Sequence, residues 1–134
     1  LIHLDTSFLV DLLRETARRA PGRASSLLAE VEAEELAASV HVLCELYAGA
    51  ERSRRPAEEQ SRLDRLAGGL TIVYPDLRFP RTYGRLLRAL EQAGERIGVM
   101  DLLIATSAVD AKAALVTRNE REFSRVPGLR VITY

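Results

Sequence analysis

The chain contains a single cysteine, Cys44. That excludes an intramolecular disulfide and makes a reduced, cytoplasmic setting the simplest expectation. Cys44 lies in an apolar stretch and is read as a core residue rather than a nucleophile. No apolar run approaches the ~18 residues of a membrane span, so no membrane association is expected. The N-terminus enters a strand-like segment at once, without the pattern of a signal peptide. Net charge is absent too: 19 Lys and Arg balance 19 Asp and Glu, which removes any global electrostatic argument for nucleic-acid binding. Lysine is nearly missing. Only Lys112 is present, so 18 of the 19 cations are arginine. Arginine forks suit phosphates, but a nucleotide bias in the genome produces the same skew and accounts for most of it. The remaining composition, 47% apolar and 28% charged over 134 residues, fits one globular domain, residues 1–134, with a real core.

Three acids stand where acids are rare. Asp5 ends the run Leu1-Ile2-His3-Leu4, Glu45 interrupts Val42-Leu43-Cys44-Glu45-Leu46-Tyr47, and Asp101 sits between Val99-Met100 and Leu102-Leu103-Ile104. A buried carboxylate needs a cation, a hydrogen-bond donor or a proton. Three of them, far apart in sequence and each in an apolar segment, suggest one shared metal site.

The element pattern supports convergence. Ile2 to Leu4 reads as a short buried strand, followed by a helix over Thr6 to Leu13 that Asp5, Thr6 or Ser7 can cap. Ala24, Leu27, Leu28 and Val31 mark a second helix. Leu36–Ser39 is a strand and Val40–Ala50 a helix; Arg52, Arg54 and Arg55 form a basic run after it, read as a solvated patch. A helix opens at Pro56, turns Leu63, Leu66 and Ala67 inward, and stops at Gly68-Gly69. Leu70–Tyr74 is a third strand. The next helix starts at Pro80, carries the stripe Tyr83, Leu86, Leu87, Leu90, and ends at Gly94. Met100–Asp110 is apolar nearly all round and is expected to be buried. A strand at Ala114–Thr117, a short helix near Asn119–Ser124 and a strand at Arg130–Ile132 complete the chain. Alternating strands and helices predict an α/β fold: an open parallel sheet of about five short strands flanked by helices.

In such sheets, sites form beyond the carboxyl ends of the strands. Asp5 and Asn119 each follow a strand. Glu45 shares a helix face with Val42, Leu46 and Gly49, and Asp101 shares one with Ile104, Ala105 and Ala108, so both point inward. Four oxygen-bearing side chains are thus expected to face one crevice at the sheet's edge. Two like charges ~4 Å apart repel by roughly 4 kcal/mol at an effective dielectric of 20, so raised pKa values or bound cations must relieve them. Oxygen-only ligands favour Mg²⁺ or Mn²⁺, and the chemistry implied is phosphodiester hydrolysis. Taken singly, each residue has a plainer explanation. Asp5 can be a helix cap, Asp101 a first-turn acid, Glu45 the partner of a buried arginine, and Asn119 a turn or cap residue. Glu122 is read either as a fifth acid or as the second half of a capping pair with Asn119. His3 and His41 are read as structural or surface residues, since their spacing fits no zinc pattern.

Taken together, Leu4-Asp5-Thr6-Ser7, Cys44-Glu45-Leu46, Met100-Asp101-Leu102-Leu103-Ile104-Ala105 and Val116-Thr117-Arg118-Asn119 with Phe123 following resemble the PIN domain. More narrowly, they resemble the VapC-type toxins of bacterial toxin–antitoxin modules. The likeness runs the length of the chain to Val131-Ile132. It implies an endoribonuclease dependent on Mg²⁺ or Mn²⁺, with Asp5, Glu45 and Asp101 as the metal-binding triad. Asn119 stands where many members carry a fourth Asp, so its role is expected to run through water. Ser7 and Thr117 are implied as hydroxyls supporting the ligands. The implied partners are RNA, a second copy of the chain and a VapB-like antitoxin helix lying between the helices at 6–13 and 40–50. Two other function classes place different demands on these positions. A haloacid-dehalogenase-like phosphatase needs a second acid where Ser7 stands, and a receiver-like domain needs a lysine after a late strand, whereas Lys112 precedes its strand. A non-catalytic PIN-like scaffold is the remaining alternative, and it would be expected to have lost one of the three acids.

Overall fold

Strand β1 (Ile2–Leu4) is buried at every position and lies in the middle of a five-stranded sheet. A computed structural model gives this architecture and describes all 134 residues. β1 is flanked by β2 (Leu36–Ser39) and β4 (Ala114–Val116), with β3 (Thr71–Val73) and β5 (Val131–Ile132) outside them. All pairings are parallel, in the order β3-β2-β1-β4-β5. Parallel neighbours require crossovers, and seven helices supply them. They are α1 (Thr6–Arg18), α2 (Arg23–Val31), α3 (Val40–Glu51), α4 (Pro56–Gly68), α5 (Phe79–Gln92), α6 (Val99–Asp110) and α7 (Glu120–Phe123).

The chain winds outward from β1 through β2 to β3, then crosses back to β4 on the other side of β1. That reversal leaves a crevice at the carboxyl ends of β1 and β4, where open α/β sheets bind ligands. The expected crevice is therefore at the carboxyl edge of the two central strands, not at an outer strand. Phe8, Leu9, Leu102, Ile104, Leu115 and Phe123 are almost wholly buried and anchor α1, α6, β4 and α7 to one core.

Most elements fall where the sequence places them, and three departures have clear physical causes. Helix α1 runs on to Arg18, one turn and more past Leu13. Its last turns face solvent and so carry no apolar signal, yet Arg, Glu and Ala sustain a helix well. Leu87 is 37% exposed, outside the expected stripe. The inward face of α5 is instead Phe79, Thr82, Leu86 and Leu90, and Leu87 lies one step around from Leu86. Cys44 is exposed, against the core reading. On α3 the buried face is Val42, Leu46 and Ala50, and Cys44, two residues from Val42, projects to the other side of the helix.

Helix α2 is tied to α1 by one carboxylate. Glu15 accepts the backbone N–H groups of Gly22 (2.6 Å), Ser25 (2.9 Å) and Ala24 (3.1 Å), and the Ser25 hydroxyl at 2.7 Å. These donors are the unpaired N–H groups of a helix start. The bonds from Ser25 dominate in drawing the Glu15 pKa from 4.5 down to about 2. A folded-state pKa below the unfolded one contributes stability that is complete above pH 4.5 and lost as pH falls towards 2. Glu15→Gln is expected to lower the thermal midpoint at neutral pH and to flatten its decline in this acid window. Thermal unfolding of both proteins across that range checks it; parallel pH profiles would count against the anchor. Gly22 is part of the same device, because a Cβ there would meet the Glu15 carboxyl carbon at 2.9 Å.

Candidate active site

At the carboxyl ends of β1 and β4 lies a cleft of about 410 Å³ lined by Asp5, Thr6, Ser7, Glu45, Asp101, Arg118 and Asn119, with no apolar residue among them. The three acids read from the sequence are all present, and so is Asn119. None of the acids is engaged in an ion pair.

Asp5 occupies the N-cap position of α1, but its side chain makes no capping bond. Its Oδ2 accepts instead from the Ser7 hydroxyl (3.0 Å) and the Thr117 hydroxyl (2.7 Å). Both hydroxyls also accept from the loop after β4: Arg118 N–H donates to Ser7 Oγ at 3.1 Å and Asn119 N–H to Thr117 Oγ1 at 3.0 Å. Ser7 and Thr117 thus hold a carboxylate that is only 4% exposed. Glu45 is not partnered by a buried arginine. It accepts from the Thr6 hydroxyl at 2.6 Å, a contact that gives Thr6 a part in the site beyond the capping role read from its position.

Asp101, in the first turn of α6, is pushed up to about pH 7, first by burial, then by the charge of Asp5, then by Glu122 and more weakly by Glu45. Glu122, which the sequence leaves open between a fifth acid and a capping partner of Asn119, stands near this site. Its Oε2 accepts from Asn119 Nδ2 at 2.7 Å and its Oε1 from Gly98 N–H at 3.1 Å. These bonds hold its carboxyl below the usual range, so Glu122 adds a negative charge near Asp101. Asn119 makes no capping bond with its side chain. The spacing of three between Asn119 and Glu122 fits a capping pair as well as a fifth acid.

The histidines stand outside this cleft. His3 is 1% exposed in the central strand, and burial drives its pKa from 6.5 to about 4, so it is neutral at physiological pH. His41 stacks on Phe79, ring centroids 5.5 Å apart.

The donor set is oxygen throughout, which suits a hard divalent ion. No three His, Cys, Asp or Glu side chains come close enough to enclose an ion by themselves. A hard ion such as Mg²⁺ keeps several waters and can reach carboxylates through them.

Beside the acidic cleft runs a second, of about 420 Å³. Val10, Leu13 and Ala17 of α1, Leu46 and Ala50 of α3 and Leu63 of α4 form its apolar part, Arg14, Arg18, Glu59 and Arg62 its charged part, and it shares Thr6 and Glu45 with the acidic cleft. The helices expected as groove walls do form one.

The PIN domain model matches residues 2–129. Ribonuclease VapC2 of Rickettsia felis is 42% identical over 94 residues, 70% of each chain. The tRNA(fMet)-specific endonuclease VapC of Salmonella typhimurium is 32% identical over 89 residues, 66% of this chain and 67% of that one. The crystal structure of VapBC2 from Rickettsia felis bound to a DNA fragment from their promoter superposes with a TM-score of 0.87 at 33% identity, covering 100% of this chain and 99% of the other. The chain therefore belongs to the PIN-domain family and, within it, to the VapC ribonucleases. Nucleases of this family generally depend on a divalent metal. No helix is long and apolar enough to cross a membrane.

Proposed function

We propose that residues 1–134 act as one VapC-type toxin domain, an endoribonuclease that hydrolyses RNA phosphodiester bonds with Mg²⁺ or Mn²⁺ and is silenced by a VapB-like antitoxin. The observation that carries the reading is the meeting of Asp5, Glu45 and Asp101 at one cleft with no arginine paired to any of them. These three would hold the ion. When bound, it supplies Lewis-acid stabilisation of the phosphoryl charge and lowers the pKa of an attacking water. The protein's share is positional. Ser7 and Thr117 fix the Asp5 oxygen, Thr6 fixes Glu45, and Glu122 ties Asn119 to Gly98 at the start of α6. Asn119, a neutral amide donating to Glu122, would act through water rather than bind the ion directly.

The second cleft, with its apolar part along α1 and α3, supports the partner half of the proposal. An amphipathic helix laid along α1 and α3 would bury Val10, Leu13 and Leu46 and end beside Glu45, where a basic side chain could reach the acids. A homodimer is the expected assembly, as the family resemblance implies.

The test is direct. Purified protein is incubated with total RNA and with initiator tRNA, the substrate class named for the Salmonella relative, and the 5′ ends of the fragments are sequenced. Discrete cleavage sites that disappear on adding the antitoxin are expected. RNA left intact across both pools, with protein shown to be folded, would remove the proposal.

A further inference from the structure

Arg118 is the one cation among the residues lining the acidic cleft, and its placement is unusually well determined for a surface arginine. Its backbone N–H is held by Ser7. Its Nη1 lies 2.9 Å from both oxygens of Asp11. Asp11, 18% exposed and outside the acidic cleft, accepts in addition from the Tyr134 hydroxyl at 2.6 Å. Tyr134 is fixed in turn by an edge-on contact with the buried ring of Phe8, centroids 5.1 Å apart. The Arg118 side chain as a whole stays 59% exposed. Nε and Nη2 have no partner in the protein.

Stability does not account for this arrangement, because an ion pair so exposed contributes little. Function does. A polyanion entering a cleft lined by three carboxylates meets repulsion that a single bound divalent ion offsets only in part. A guanidinium at the rim, anchored by one nitrogen and with its other donors free, presents the planar fork that matches a phosphate. It would also meet the charge that builds on the phosphoryl oxygens as the bond breaks.

We propose that Arg118 grips the RNA phosphate at the cleavage site, and that Asp11 and Tyr134 are positioning residues that aim it. The proposal rests on the RNA-hydrolase reading above. In steady-state cleavage of a short fluorescein-labelled RNA with Mn²⁺, Arg118→Ala is expected to lower kcat/KM about a hundredfold. Arg118→Lys should recover roughly tenfold of that, since it restores charge but not the fork. Asp11→Asn and Tyr134→Phe should cost about tenfold, with Arg118 still charged but less well aimed. A second readout needs no turnover: in EDTA the same RNA should bind Arg118→Ala several-fold more weakly, with a thermal midpoint matching wild type. Should the alanine variant fail to fold, Arg118→Gln takes its place with the same outcomes. Arg118→Ala that cuts and binds within about threefold of wild type, while wild type cuts RNA, overturns the role of Arg118 alone. Wild-type protein that cuts no RNA overturns the hydrolase reading and this one with it.

Discussion

Asp5→Asn is expected to lower RNA cleavage by roughly a thousandfold, about 4 kcal/mol of transition-state stabilisation, while leaving the fold intact. The exchange keeps the size and shape of the side chain and its capacity to accept from Ser7 and Thr117. It removes only the charge. Asp5 is 4% exposed, so an ionised group there is costly to hold; the asparagine variant should melt no lower than wild type. Single-turnover rates at saturating Mn²⁺, set beside circular dichroism and the thermal midpoint, separate loss of chemistry from loss of structure. Cleavage by Asp5→Asn within about tenfold of wild type, in protein cleared of contaminating nuclease, would sink the assignment of Asp5.

The second large effect concerns the metal. Chelation should abolish cleavage, and Mg²⁺ or Mn²⁺ should restore it; rescue by Zn²⁺ alone would require a different donor set from these oxygens. The pH dependence follows from Asp101, whose proton in the ion-free protein persists to about pH 7 because of burial and its acidic neighbours. An ion needs the ionised carboxylate, so binding expels that proton. Mn²⁺ affinity, measured by calorimetry, should rise up to about tenfold per pH unit below 7 and level off above it. Stability without metal runs the opposite way. A folded-state pKa raised from 3.8 favours folding below 3.8, and that contribution is lost as pH rises towards 7. Asp101→Asn should therefore be more stable than wild type above pH 7, by roughly 1 to 2 kcal/mol once solvent access to the half-buried group is allowed for. It should also fail to cut RNA. A Mn²⁺ affinity flat across this range, or an Asp101→Asn protein no more stable above it, would contradict the crowding of acids inferred at the cleft.

The sequence alone determined a good deal about this protein. The alternation of short strands with amphipathic helices required a parallel α/β sheet, because parallel neighbours need crossovers. Asp5, Glu45 and Asp101 were legible for a related reason: a carboxylate inside an apolar run is expensive unless something at the same place neutralises it. Burial is less legible where one helix position separates inside from outside, which is why Cys44 and Leu87 proved exposed. Only the tertiary structure decided the rest. The return of the chain across β1 sets the strand order and puts the cleft between β1 and β4. Glu122 bridging Asn119 and the start of α6, and Asp11 clasped by Arg118 and Tyr134 from 107 and 123 residues away, depend on that placement. Local periodicity reports which face of an element is buried, but it holds no information on which distant side chain will stand opposite it.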